Sequence, residues 1–350
     1  MAFLINISFG SVEISIKTIL ESVFGPTTHN NPLDYIIHHY RIPKAITAVV
    51  VGAGLSISGL LMQTLFKNPL AGPYVLGISS GASLGAALYI MGAAALGAFL
   101  PQWLIGNWST TIAASIGSFS VLFIVATVAT RIKNTMALLI IGLMFGSLSS
   151  ALVSILAFFS SKESLQKFVF WTYGNLGNLS FTDIGILGLF VSIGSLVSIL
   201  NTNVLNAMLL GNDYAISLGI SLKKTSLTIL IATGLIAGSI TAFVGPIAFL
   251  GLAVPHICRL VWNTSNHKIL IPTSLLMGAI FMLISDSIAQ LPGSANVLPI
   301  NAITALFGSP IVIWLLVRKK QIQLNSRRSK LASIINETGG KFFTVKFHKV

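Results

Sequence analysis

Charge is what this sequence has least of. Only 8% of its 350 residues are Asp, Glu, Lys or Arg, against about 25% in a soluble domain. So few charges cannot clothe a water-facing surface, which excludes an ordinary soluble protein. Acids are scarcest, eight against 21 Lys and Arg, and Asp286 alone lies clearly inside a long apolar run. A carrier built on several buried carboxylates therefore has little to work with. One cysteine, Cys258, excludes a disulfide framework within the chain. The adjacent His38 and His39 make only a weak metal signal. No G-x-x-x-x-G-K-[ST] loop occurs, and no soluble stretch is long enough for a nucleotide-binding domain. ATP, if it drives this protein, is bound by another chain. The N-terminus lacks the basic region and small-residue cleavage site of a signal peptide.

Apolar residues make up 54% of the chain, and mean hydropathy is +0.88. Uninterrupted apolar runs predict membrane spans near 44–66, 76–99, 108–131, 135–159, 182–201, 226–244, 269–290 and 301–317. A shorter run, 245–262, contains Pro246 and Pro255 and reads as a further span with an irregular end. The fold class expected is an all-α integral membrane protein, a bundle of about 9–10 transmembrane helices over residues 1–320. Residues 1–10 are too few to cross, so a first helix is apparently truncated.

Lysine and arginine set the expected orientation. With the C-terminus inside, Lys17, Arg41, Lys44, Lys162 and Lys167 fall outside. All the other basic residues fall inside, in accord with the positive-inside rule. This count requires 245–262 to cross. The basic charge follows span ends and the tail rather than a soluble module, which argues against nucleic acid as a partner. Residues 321–350 form a basic cytoplasmic tail, with attraction to anionic lipid of about 1 kcal/mol per basic residue.

Three groups of small or polar residues stand out. Gly77, Gly81 and Gly85 recur every fourth residue, as do Gly234 and Gly238; such bare stripes let helices approach closely in lipid. Ser147, Ser150 and Ser154 form a hydroxyl stripe on the 135–159 span, suited either to a polar translocation path or to bonds between helices. Asp286, near the outer end of its span beside Ser285 and Ser287, fits a hydrogen-bonding role.

Several long motifs occur in order. Arg41-Ile42-Pro43-Lys44 is followed by Gly52-Ala53-Gly54-Leu55, Gly59, Gln63, Asn68-Pro69-Leu70-Ala71-Gly72-Pro73 and Leu76-Gly77-Ile78-Ser79-Ser80-Gly81-Ala82. The second half holds Trp171-Thr172-Tyr173-Gly174, Leu210-Gly211-Asn212-Asp213 with Leu218-Gly219, Gly245-Pro246-Ile247-Ala248-Phe249-Leu250-Gly251-Leu252-Ala253-Val254-Pro255-His256 with Arg259, and Phe307-Gly308-Ser309-Pro310. Over roughly residues 10–320 this resembles the FecCD-type permeases, the membrane subunits of importers for siderophore-bound iron, haem and vitamin B12. Val297 stands where the family often has glutamate, and Asn301 replaces a usual glycine.

The resemblance implies a type II ABC importer permease fold in the bacterial cytoplasmic membrane. It implies a homodimer, or a pair with a related permease, with two ATP-binding subunits inside and a periplasmic or lipid-anchored substrate-binding protein outside. Arg41 and Lys44 would meet acids of the binding protein. Gly251 to His267, including Pro255, His256 and Arg259, would form the element that couples to the ATPase, with Asp213 contributing from the same side. Pro255 is expected to break the helix there. No cofactor is expected in this chain; ATP and Mg belong to the partner subunits. The alternative reading is an ion-coupled secondary transporter of a small solute.

Overall fold

The structure is a computed structural model describing residues 1–10, 12–25, 32–92, 108–132, 135–290, 296–314 and 317. The predicted tail 321–350 lies outside the described residues. The chain divides into two units, Met1–Gly308 and Ser309–Val350, and the first holds nearly all of the described residues.

Among the described residues there are helices and no strands. Two short helices, α1 (Ala2–Ser8) and α2 (Ile16–Phe24), open the chain. They are followed by α3 (Pro32–Leu65), α4 (Ile78–Ile90), α5 (Ser109–Ala129), α6 (Thr135–Phe159), α7 (Lys162–Thr172) and α8 (Phe181–Leu200). Then come α9 (Thr202–Leu209), α10 (Asn212–Ser217), α11 (Leu222–Val244), α12 (Leu250–Val261), α13 (His267–Ala289) and α14 (Ile300–Trp314). Six of these (α3, α5, α6, α8, α11 and α13) are long and apolar enough to cross a membrane; α4, α12 and α14 are apolar but shorter. Within the 245–262 segment only Leu250–Val261 is helix, about 18 Å long at 1.5 Å per residue and shorter than the roughly 30 Å hydrocarbon layer; residues 245–249 before it are not helical.

Local chemistry sets several helix ends. Ser180 and Asp183 form a reciprocal capping box at the start of α8, and Ser15, Ser161 and Ser221 accept from backbone N–H groups at the starts of α2, α7 and α11. Within α3, residues Ile37–Arg41 form a π turn immediately before Pro43. Pro43 offers no N–H and its ring crowds the carbonyl four residues back; the wider turn absorbs that misfit without ending the helix.

The bundle is organised around α3 and α11, whose apolar windows are 78% and 72% buried, while that of α6 is 17% buried. Packing relies on small residues, as expected where lipid supplies no hydrophobic drive between helices. A Cβ on Gly81 would press on the Gly117 carbonyl of α5, and one on Gly85 on the Ala113 carbonyl. Gly234 and Gly238 on α11 face Leu122 and Ser118 of α5. Gly52 of α3 meets the Gly278 carbonyl of α13, and Gly59 meets Gly251 of α12. Gly77 departs from the expected stripe. It caps α4 at φ 74° in the left-handed region, so it ends a turn that only glycine adopts cheaply, and its own neighbour is Gly142 of α6.

Candidate functional site

Two polar clusters sit at opposite ends of the α3–α13 pair. At the first end, Asp286 is 2% exposed and its carboxylate Oδ1 lies 3.1 Å from Lys44 Nζ. Its other oxygen accepts from Asn6 Nδ2 at 2.9 Å and Gln290 Nε2 at 2.8 Å. Asn6 also reaches the Leu283 carbonyl and Ser287 Oγ, each at 3.1 Å, which docks α1 on α13. A buried carboxylate is expensive in an apolar medium unless paired and hydrogen-bonded, and here both oxygens are served.

Arg41 completes this cluster from the π turn. Its guanidinium donates to the Val12 carbonyl at 2.9 Å, Gln290 Oε1 at 3.3 Å and the Ile7 carbonyl at 3.4 Å. It occupies the place where a side chain on Gly10 would go. Arg41 is buried and Lys44 largely so, so in this conformation both cations of the expected docking pair are engaged inside the chain. Both line a pocket of about 680 Å³ together with Tyr40, Tyr173, Asp286 and Gln290. His38 and His39 do not converge on a ligand position: His38 Nε2 lies 3.2 Å from the Ser22 carbonyl, and His39 stacks on Tyr35. No group of three or more potential metal ligands occurs among the described residues.

Beside this end the chain between α11 and α12, residues 245–249, is not helical. Gly245 has φ 83° and Phe249, which opens α12, has φ 66°; for an aromatic residue the second value is strained. Asn301 Oδ1 accepts from Ala248 N at 3.0 Å and Asn301 N donates to the Tyr173 carbonyl at 3.1 Å. The side chain at position 301 thus adds a tie to the 245–249 segment that a glycine could not make, beside a backbone bond to Tyr173 that a glycine would keep.

The second end carries the predicted coupling residues. Pro255 does not break the helix: α12 runs unbroken from Leu250 to Val261 with Pro255 inside it. What Pro255 removes is an N–H for the Gly251 carbonyl. Gln63 Nε2 of α3 lies 3.4 Å from that carbonyl and 3.2 Å from that of Leu252. Gln63 Oε1 in turn accepts from Arg259 Nη1. Continuous helix is possible here because α3 supplies the missing donor.

His267, fully buried at the start of α13, links three elements. Its backbone N–H donates to Asn206 Oδ1 of α9 at 2.8 Å, which identifies that atom as oxygen. The ring Nδ1 lies 2.9 Å from the same oxygen, so Nδ1 carries the ring proton. Nε2 lies 2.8 Å from the Thr64 hydroxyl of α3, which also donates to the Leu60 carbonyl at 2.9 Å. His256 on α12 is half-buried, and Asp213 is exposed in the first turn of α10. Gly251, Pro255, Arg259 and His267 are therefore brought together around the last turn of α3. Asp213 lies on a separate short helix.

Ser147, Ser150 and Ser154 lie on the exposed face of α6, among Ile140, Leu143, Met144 and Leu148. Ser147 and Ser154 return their hydroxyl protons to the Leu143 and Ser150 carbonyls of their own helix, at 3.1 and 3.0 Å. Sequence reading did not assign roles to Asn6, Thr64, Asn206 or Gln290. Their partners lie as far as 281 positions away in the chain, and no local pattern announces such pairs.

Comparison with known proteins adds to this geometry. A sequence profile of the FecCD transport family matches residues 1–318. The chain is 36% identical over 285 residues to the vitamin B12 import system permease protein BtuC of Klebsiella pneumoniae, covering 81% of this chain and 83% of that one. It is 30% identical over 322 residues to the hemin transport system permease protein HmuU of Yersinia pestis, covering 92% and 95%. It is 33% identical over 328 residues to YvrB, an uncharacterized ABC transporter permease protein of Bacillus subtilis, covering 91% of each. Among solved structures, an inward-facing conformation of an ABC transporter of metal-chelate type superposes with a TM-score of 0.78 at 27% identity. That likeness covers 91% of this chain and 95% of that one.

Proposed function

The chain belongs to the FecCD transport family, and from that premise we propose that it is the membrane gate of an ATP-driven importer of a metal-containing chelate: a ferric siderophore, haem or a corrinoid. It is a multi-pass membrane transport subunit rather than an enzyme. The observation that carries the proposal is the near full-length likeness, in sequence and in three dimensions, to permeases and a transporter of that kind.

In the proposed cycle two copies of the chain face each other and the C-terminus lies inside. A binding protein delivers the chelate at the end marked by Arg41, Lys44 and Asp286. ATP binding in two partner subunits moves the Gly251–His267 element at the other end, with Asp213 alongside it. The exposed α6 face with Ser147, Ser150 and Ser154 lines the path. Transport follows because each partner has different affinity for the two states of the gate.

The state of Asp286 disfavours the ion-coupled alternative. Both oxygens of that carboxylate are taken up by Lys44 and two side-chain amides, an arrangement that suits a structural role. The deciding experiment measures uptake of labelled cyanocobalamin, hemin and a ferric hydroxamate in cells with and without the gene. Uptake that requires both the chain and ATP is expected. Uptake that continues without ATP and stops with the ion gradient would overturn the proposal.

A further inference from the structure

We infer that Gln63 is a positioning residue for coupling: it replaces the hydrogen bond that Pro255 denies to Gly251, and so makes α12 move with α3. The inference rests on the reading of Gly251–His267 as the element that meets the ATPase.

A proline five residues into a 12-residue helix normally kinks it or leaves a carbonyl without a partner. The orphan here is the Gly251 carbonyl, at the point where α12 touches α3 backbone to backbone through Gly59. Gln63 sits one turn further along α3, is 4% exposed, and puts its amide N–H groups at the Gly251 and Leu252 carbonyls. The same amide uses its oxygen to hold Arg259. Gly251 and Arg259 are eight residues apart, about 12 Å along the helix axis. Arg259 spans that distance with its own side chain, so the Gly251–Leu252 carbonyls and the Arg259 guanidinium converge on one amide of α3 and tie both turns of α12 to it.

The next residue, Thr64, holds His267 where the element ends. Consecutive residues of the most buried helix therefore grip both ends of the Gly251–His267 segment. Only a glutamine serves at position 63: leucine offers neither group, glutamate offers no donor, and asparagine is one methylene shorter.

The test separates the donor from the rest of the side chain. The full-length chain, in lipid nanodiscs and with Cys258→Ser, receives spin labels at Lys67→Cys and Trp262→Cys. Lys67 N donates to the Thr64 carbonyl, so it rides on the last turn of α3; Trp262 caps α12. The distance distribution between the labels is expected to be narrow, to broaden in Gln63→Glu, and to narrow again when Pro255→Ala is added, because residue 255 then has an N–H for Gly251. A Gln63→Glu chain that folds only with Pro255→Ala counts as the same rescue, and Gln63→Asn provides a milder version of the comparison. A distribution unchanged in Gln63→Glu, or one that Pro255→Ala fails to narrow, overturns the inference.

In the complete importer, hemin or cyanocobalamin moved per ATP hydrolysed should fall about tenfold in Gln63→Glu, the loss of roughly one buried hydrogen bond, and recover with Pro255→Ala. A wild-type chain that imports no chelate at all would sink the proposed function, while the label distances would still decide the role of Gln63.

Discussion

Lys44 Nζ stands 3.1 Å from Asp286 Oδ1 at one end of α3 and α13, and Thr64 Oγ1 stands 2.8 Å from His267 Nε2 at the other end of the same two helices. Between these pins the helices touch through Gly52 and Gly278. The pair is thereby closed at both ends and bare in the middle.

The Lys44–Asp286 pin should show strong coupling in a double-mutant cycle. Removing one member of a buried ion pair leaves the other uncompensated and costs about 3–5 kcal/mol. Asp286→Ala alone and Lys44→Met alone should each lower the thermal midpoint in detergent, the first by leaving Lys44, Asn6 and Gln290 without their acceptor and the second by leaving the buried carboxylate without its cation. The double variant should lose less than the two single losses combined. Simple additivity would show that the pair is not a functional unit of the fold.

Glycine positions divide into two classes that thermal unfolding can separate. A Cβ at Gly59 would collide with the Gly251 backbone, whereas one at Gly185 or Gly188 of α8 meets nothing within 4 Å. Gly59→Ala should destabilise by about 1–3 kcal/mol through forced separation of α3 and α12. Gly185→Ala and Gly188→Ala should be neutral or stabilising by up to about 1 kcal/mol, since alanine favours helix.

The serine face of α6 is testable by thiol chemistry. In the Cys258→Ser background, cysteine at Ser147, Ser150 or Ser154 should cross-link two copies of the chain and react with a water-soluble thiol reagent. Cysteine at Phe158 or Phe159, which are exposed near the end of the same helix, provides the comparison. Reaction confined to those end positions would remove the serine stripe from the path.

The docking assignment predicts a salt-sensitive contact. Replacing both Arg41 and Lys44 by glutamate should abolish binding of the partner substrate-binding protein in a pull-down, and raising ionic strength should weaken the wild-type contact. To distinguish docking from damage to the Asp286 cluster, Asn6→Ala provides the control: it removes one bond to the carboxylate and should leave binding intact. Loss in both variants would mean that the cations serve the cluster rather than the partner.

Much of the architecture was legible because membrane helices are written in uninterrupted apolar length, and α3, α5, α6, α8, α11 and α13 all announce themselves so. Where a segment is short or bent, the signal fails. The 245–262 run has span-like composition, yet α12 is only twelve residues, because non-helical chain from Gly245 to Phe249 uses up most of the rest. Pro255 reads as a helix breaker since a sequence shows the missing N–H but not the Gln63 amide that replaces it. Gly77 reads as part of a helical stripe since spacing carries no sign of φ. The site at Asp286 was half visible: an acid in an apolar run demands a partner, but the run does not say that the partners are Lys44, Asn6 and Gln290.

The π turn at Ile37–Arg41 has a consequence for how this helix tolerates change in length. One extra residue is already stored there, so the faces of the helix before and after it are offset by about 100° from a regular α register. Deleting a single residue within 37–41 would convert the π turn to regular α helix and leave Tyr35 and everything before it on its present side of the axis. A deletion elsewhere in α3 would swing everything before it about 100° off its packed seam, while here the helix has a residue to give up.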